Sequence, residues 1–378
     1  MSKTPFSFVS LLALTAALPA QLPRVALCGA ASTSSTACQW TDVQTRLLAS
    51  NAFSAVDIIN VTTTGGGTPS LSSLLQYDAV LCYTNVTPAN NITWGDVLAD
   101  YVDAGGGVVV SVFANSTATV GRNIAGRWQT GYEVILDQSG NTGGAGAVLG
   151  TVHVPAHPVM IGVTAFAGGT TGSRPTGTAL EVGSFLVAEW SDGKVLVAQG
   201  ANPRRVDLGF YPPNASCSQS GWATGGDLLM VNALLAVSGG GIFGPYGAGC
   251  AGTIGVPAWA AQTGSRPIIG TVLNTTLTNV PFGLGLVGLG FSNTLSGGVL
   301  PLPFDLTAIG MTGCNLLADP LVLEVAIGTA PTAPWSLAIP PDVSLIGTVL
   351  YGQGFGFDPA ANPFGFTASN GARLKLGL

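Results

Sequence analysis

Cys82 is the side chain in this sequence best suited to act as a nucleophile. It ends the apolar run Asp78-Ala79-Val80-Leu81-Cys82-Tyr83. A thiol attacks as its thiolate and needs a base beside it. The only histidines are His153 and His157. Their four-residue separation would place both on one face of a helix for a metal. Val152-His153-Val154-Pro155-Ala156-His157-Pro158 contains two prolines, which oppose that helix. His157 is expected to fix a turn, and no metal or cofactor is implied. Carboxylates offer a second chemistry. Glu133, Asp137, Glu181 and Glu189 are candidates for the acid and base of glycoside hydrolysis, although nothing in the sequence fixes their separation. Arg122, Arg127, Arg204 and Arg205 stand out because charge is scarce. Arg127-Trp128 either lines a polar crevice or pairs with Glu133. Against the thiol chemistry stands the usual behaviour of cysteine, which favours Cys82 as a core or disulfide residue.

The elements around these residues alternate between strand and helix. Pro23 to Gly29 is a short apolar run closed by glycine. Trp40, Val43, Leu47 and Leu48 recur at helical spacing, with Asn51 placed to end that helix in a left-handed conformation. Val56–Val61 and Asp78–Tyr83 read as strands, with a short helix over Leu71–Gln76 between them. Trp94 to Ala104 is the clearest helix. Thr93 is its expected cap, and Trp94, Val97, Leu98, Tyr101 and Val102 form its apolar face. Val108 to Phe113 is continuously apolar, as a central parallel strand requires. This alternation predicts right-handed βαβ units in a doubly wound α/β sheet. Leu180–Trp190 and Val195–Gln199 flank Ser191-Asp192-Gly193 as a hairpin. Val206–Tyr211 adds a strand, and Gly225–Val237 a closing helix.

Helical periodicity then disappears. Short apolar runs (268–273, 284–291, 321–327, 335–339, 345–351 and 373–376) alternate with Gly, Pro and Asn, which predicts an antiparallel β-sandwich. The expected organisation is a signal peptide over 1–20, an α/β domain over 21–238, a linker over 239–246 and an all-β sandwich domain over 247–378.

Only 8% of residues are charged, and the formal net charge is −6. No basic patch is present to neutralise a row of phosphates, which argues against nucleic-acid binding. Lys3, the short apolar stretch Phe6–Leu18 and Ala20 before Gln21 have the form of an export signal. No other apolar run reaches the roughly 20 residues of a membrane helix. Six cysteines in an exported chain suggest disulfides. Cys28–Cys38 and Cys250–Cys314 are the expected bridges, leaving Cys82 and Cys217 either paired or as two buried thiols. The glycine clusters at 65–67 and 105–107 lack the lysine and spacing of a phosphate loop.

Three segments of the first half carry a family resemblance: Tyr101 to Val109, His157-Pro158-Val159-Met160-Ile161-Gly162-Val163, and Gly226 to Ala236 with Asn232. In that order they resemble the class I glutamine-amidotransferase-like superfamily, in particular its trehalose-utilisation-like branch, over about 210 residues. The resemblance implies a flavodoxin-like scaffold. Catalytic members present a cysteine after the central strand and a later His-x-Glu pair. Here that turn reads Ser111-Val112-Phe113-Ala114-Asn115-Ser116, and no histidine follows His157. No catalytic triad carries over. The second half resembles a β domain recurrent in large exported bacterial proteins, through Gly247 to Gly252, Pro301 to Leu306, Gly313-Cys314-Asn315-Leu316, Ile339-Pro340, Tyr351-Gly352-Gln353 and Asp358 to Asn362. That resemblance implies export and surface display, and no reaction.

The expected function is an exported, non-catalytic binding or structural protein whose partner is a carbohydrate or a cell-surface component. The expected ligand crevice lies at the strand ends near Cys82, Tyr83, Phe113 and Asn115. The alternative is a secreted hydrolase of sugars or amides acting through Cys82 or a carboxylate pair.

Overall fold

A computed structural model describes residues 22–143 and 146–377. The expected signal segment, 1–20, lies outside the described residues. The described chain falls into two compact units, divided between Gly244 and Pro245.

The first unit is a mixed α/β sheet. Its strands are β1 (Arg24–Gly29), β2 (Ala55–Asn60), β3 (Ala79–Cys82), β4 (Gly107–Ser111), β5 (Leu149–Val152), β6 (Phe185–Trp190), β7 (Val195–Gln199) and β8 (Arg205–Leu208). The order across the sheet is β2-β1-β3-β4-β8-β7-β6-β5. The strands from β2 to β8 pair in parallel, with Val25 opposite both Val56 and Ala79, Val80 opposite Val108, and Val109 opposite Val206. The β8, β7, β6 and β5 pairings are antiparallel. The expected strand over 206–211 stops at Leu208, and β9 (Tyr211–Asn214) pairs instead with β10 (Gly221–Trp222).

Side chains alternate across the parallel strands, so each apolar run feeds two cores. Val25 and Leu27 join Trp40, Val43 and Leu47 of α1 (Cys38–Ala49) in one core. Ala26 and Cys28 join Leu74 of the short helix α2 (Leu71–Leu74) and Trp94, Leu98 and Tyr101 of α3 (Asn91–Asp103) in the other. The closing helix α4 (Gly226–Val237) packs on the α1 side through Leu229, Met230, Ala233 and Leu234. Asn51 has φ of 56°, the left-handed stop expected after α1. The cap of α3 differs from expectation. Asn90 accepts from the amides of Ile92 and Thr93, because the helix begins three residues before Trp94.

The second unit holds several antiparallel sheets. Residues 239–246, expected as a linker, contain strand β11 (Ile242–Tyr246). That strand runs across the division, and the main strands wholly within the second unit are β12 (Ala258–Ala261), β13 (Val272–Thr278), β14 (Leu284–Gly290), β15 (Val322–Ile327), β16 (Thr332–Ala338), β17 (Val349–Phe357) and β18 (Phe366–Lys375). One sheet has the order β11-β18-β17-β14-β15 and another β12-β13-β16. Leu277 and Trp259 of the second sheet lie where Cβ atoms on Gly354 and Gly352 of β17 would stand, so those glycines let the sheets approach. Buried Trp259 and Trp335 stand 6.1 Å apart in that core.

The bridges are Cys250–Cys314 and Cys38–Cys217. The expected Cys28–Cys38 bond is absent. Cys28 points from β1 into the α3-side core beside Cys82, and both are buried free thiols. Cys38 opens α1 on the opposite face. There the turn after β9 comes alongside, and the amide of Asn214 donates to Asp42 at 2.8 Å.

Candidate functional site

The parallel strands converge at their carboxyl ends on the segments after β3 and β4. Thr84 extends β3 and bridges to Ala30 at the end of β1. The amide of Phe113, two residues past β4, donates to the Thr84 carbonyl at 3.2 Å. A cis Val112–Phe113 peptide bond precedes a tight turn in which Ala114 N–H donates to Ser111 O and Ser116 N–H to Phe113 O. The carbonyl of Asn115 then accepts from the Gln138 amide at 2.9 Å, which anchors the turn to the following loop.

Aromatic and polar side chains meet here. Phe113 and Tyr211 have ring centres 5.2 Å apart, and the Arg122 guanidinium lies 4.4 Å from the Phe113 ring centre. Arg122 and the Tyr211 phenol are close enough to perturb one another. Burial pushes the arginine's pKa down and the tyrosine's up, and each opposes the other's shift. Four polar side chains in this neighbourhood hold buried atoms without a hydrogen-bond partner among the described residues. The atoms are Thr84 Oγ1, both amide atoms of Asn115, Arg122 Nε and the Tyr211 hydroxyl. Arg122 uses one terminal nitrogen on the Ser116 hydroxyl at 3.4 Å and makes no ion pair with the described residues. A buried unpaired polar group ordinarily costs about 1–3 kcal/mol. These four side chains lie on segments that meet at the strand ends.

The four expected crevice residues divide. Phe113 and Asn115 belong to this cluster. Cys82 turns into the α3-side core, where burial first and Cys28 second push its thiol well above the ordinary range. Tyr83 turns to the α1 side, packs on Trp40 at 5.3 Å and donates to the Gln39 carbonyl at 2.8 Å. Neither is available to a ligand. Ser111, at the end of β4, donates to Leu208 O at 3.1 Å and also to Phe210 O. Sequence reasoning missed Thr84 and Tyr211, and treated Arg122 only as a scarce charge. The available signal was that Arg122 lies six residues after Ser116, on the loop that closes over the turn.

The carboxylates form a separate cluster at the other end of the strands. Arg205 opens β8 opposite Val108, near the start of β4. Its guanidinium is held by Asp207 at 2.9 Å, the Tyr132 carbonyl at 2.8 Å and the Val108 carbonyl, and it lies 4.3 Å from the Trp128 ring centre. Glu133 and Glu181 join Arg205 around a cavity of about 30 Å³, room for about one water. Burial raises the Glu133 carboxyl to about 8, with Asp137, Asp207 and Glu181 adding in that order. Asp137 accepts from Asn123 at 2.6 Å and Gln129 at 2.7 Å. Glu189 stands apart, 3.3 Å from His153. His157 accepts from the Val159 amide and meets Gln199 at 3.2 Å, the turn-fixing role expected of it. Arg127 pairs with Asp100 and Asp103 rather than with Glu133, because α3 presents both aspartates to it. Among the described residues no group of three or more His, Cys, Asp or Glu could hold a metal ion.

No protein-family model and no curated protein matches the chain. Solved structures of amidotransferase-like type share features with part of it. A protein from Bacteroides uniformis described as ThuA-like is 19% identical with a TM-score of 0.40, covering 58% of this chain and 93% of its own. One from Parabacteroides merdae, described likewise, is 14% identical with a TM-score of 0.36, covering 58% and 90%. A protein from Thermoplasma acidophilum, described as part of a GMP synthase, is 11% identical with a TM-score of 0.37, covering 58% and 95%.

Proposed function

We propose that this is an exported, non-catalytic binding protein whose first unit takes a polar ligand, of the carbohydrate class, at the carboxyl ends of β3 and β4. The observation that carries the proposal is the gathering of unpartnered donors and acceptors on Thr84, Asn115, Arg122 and Tyr211 beside the Phe113 ring. A sugar offers paired hydroxyls to amide, phenol and guanidinium groups and an apolar ring face to an aromatic side chain. The thiol chemistry is disfavoured by the burial of Cys82 and by the rise in its pKa. Two disulfides suit an oxidising compartment outside the cytoplasm. The second unit, taken as a β-sandwich joined to the cell surface, supplies the attachment.

Isothermal titration of the full chain against a panel of neutral mono- and oligosaccharides tests this reading. Asn115→Leu is expected to weaken binding at least tenfold, since it removes a buried hydrogen-bonding pair. Affinity unchanged by Asn115→Leu and by Tyr211→Phe would refute the site.

A hydrolase acting through carboxylates is the second reading. It is favoured by Glu133, which the pKa of about 8 keeps protonated at neutral pH, as a general acid requires. The adjoining space of about 30 Å³ is far too small for a sugar ring. Hydrolysis of a chromogenic glycoside that disappears in Glu133→Gln would establish this reading in place of the first.

A further inference from the structure

We propose a second ligand site, in the other unit, that recognises a carboxylate-bearing sugar through Arg266. The connection between β12 and β13 borders an open surface groove of about 360 Å³, lined by Gln262, Ser265, Arg266, Ile268, Thr271 and Asn274 among others. Pockets that hold small molecules run from ~300 to 1,000 Å³.

The loop is held in shape without a ligand. Gln262 N–H donates to Asn274 O at 2.9 Å, and Asn274 N–H donates to Ser265 Oγ at 2.7 Å. Ile269 N–H donates to Gly377 O at 2.9 Å, and the Thr271 hydroxyl donates to Ile268 O at 2.8 Å. A groove fixed in this way loses little entropy when a ligand enters.

Arg266 decides the ligand's charge. In this chain Arg24, Arg46, Arg127, Arg174 and Arg205 each pair with an aspartate. Arg266 makes no ion pair or side-chain hydrogen bond with the described residues, although it lines this groove. A guanidinium presents a planar fork that fits a carboxylate with two parallel hydrogen bonds. The amides and hydroxyls beside it suit sugar hydroxyls, and Ile268 supplies an apolar surface. The site is independent of the strand-end crevice.

D-galacturonate and D-galactose differ only in the carboxylate at C6 and are the probes. Calorimetric titration of the full chain is expected to show galacturonate binding at least about tenfold tighter than galactose. The preference should vanish in Arg266→Gln, persist in weakened form in Arg266→Lys, and survive Arg122→Gln. Equal affinities, absence of binding, or a preference that outlives Arg266→Gln would overturn the proposal. Should Arg266→Gln fail to fold, the wild type decides. Its galacturonate affinity must fall as salt rises while its galactose affinity stays constant, and parallel curves would refute the site.

Discussion

Replacing Glu133 by Gln should make the protein more stable in alkali and leave it unchanged in acid. Glu133 is 9% exposed and stands in the company of Asp137, Asp207 and Glu181, with the Arg205 guanidinium across the small cavity. Its carboxyl is raised from the ordinary 4.5 to about 8, first by burial. Below pH 4.5 the carboxyl is protonated in both folded and unfolded chains and contributes nothing to pH dependence. Between 4.5 and 8 the unfolded chain releases the proton and the folded chain keeps it, so stability falls as pH rises. Above 8 the full cost is present. At about 1.4 kcal/mol per pH unit, that interval amounts to on the order of 5 kcal/mol. A neutral amide at this position cannot titrate and avoids the cost.

Urea unfolding of the full, disulfide-bonded chain at pH 4.5, 6, 7.5 and 9 measures the effect, with wild type and Glu133→Gln compared at each pH. Burial raises Asp137 and Asp207 as well. His157 is lowered by burial and works in the opposite direction. His157 is common to both proteins and cancels in the difference, as does the part of the Asp137 and Asp207 titration that is independent of Glu133. The gap should open between pH 4.5 and 8 and reach about 2 kcal/mol or more at pH 9, after water entering through the adjoining cavity has relieved part of the penalty. A gap that does not change with pH would refute the burial argument for Glu133. A gap that narrows toward pH 9 would show that the carboxylate is stabilised by Arg205 instead.

Three further outcomes follow from the same geometry. Cys82 and Cys28 are both buried, so neither should react with a thiol reagent in the native chain and both should react after denaturation. Rapid native labelling of Cys82 would reopen the thiol chemistry. Asn115→Leu should raise the unfolding free energy by about 1–3 kcal/mol, because two buried unpaired atoms are removed; a loss of stability in urea would mean that those atoms have partners. Asn90→Ala should cost about 1 kcal/mol, since the side chain caps α3 through two amides; calorimetry showing no change would shift the cap back to Thr93.

The parallel strands were legible because their apolar runs are bounded by glycine and separated by amphipathic helices, and Val108 to Val110 does sit at the centre of the sheet. The hairpin at Ser191-Asp192-Gly193 was legible from its turn chemistry. The start of α3 was not. Asn90 and Asn91 are both good caps, and only the packing of the helix chooses between them and Thr93. Strand β12 was missed because Ala258-Trp259-Ala260-Ala261 has a single large side chain, so alternation could not be seen. The bridge of Cys38 to Cys217 spans 179 residues, beyond the reach of local spacing. For the candidate site, sequence located the turn holding Phe113 and Asn115 from the resemblance alone. It could not tell that Cys82 and Tyr83 point away, since that depends on which face each residue of the strand end takes. Thr84, Arg122 and Tyr211 come from three separate segments that only the folded sheet brings together.

The placement of charge supports the same division between scaffold and site. With 8% charged residues, this chain has few cations, and most of the structurally placed arginines are committed to aspartates. Arg205 shows what such a commitment achieves. It is fully buried, yet each side of its guanidinium is met by Asp207, by main-chain carbonyls or by the Trp128 ring. Its charge therefore serves to hold the loop before Glu133 to β8. Arg122 and Arg266 lack that closure. Among the described residues neither guanidinium pairs with a carboxylate; one lies over the Phe113 ring and the other lines an open groove. Arg122 is only partly buried, but burial already lowers its pKa, so holding its charge there without a carboxylate is unfavourable. Retaining it beside Asn115, Tyr211 and Thr84 makes physical sense if a bound ligand completes the hydrogen bonds that the fold leaves open.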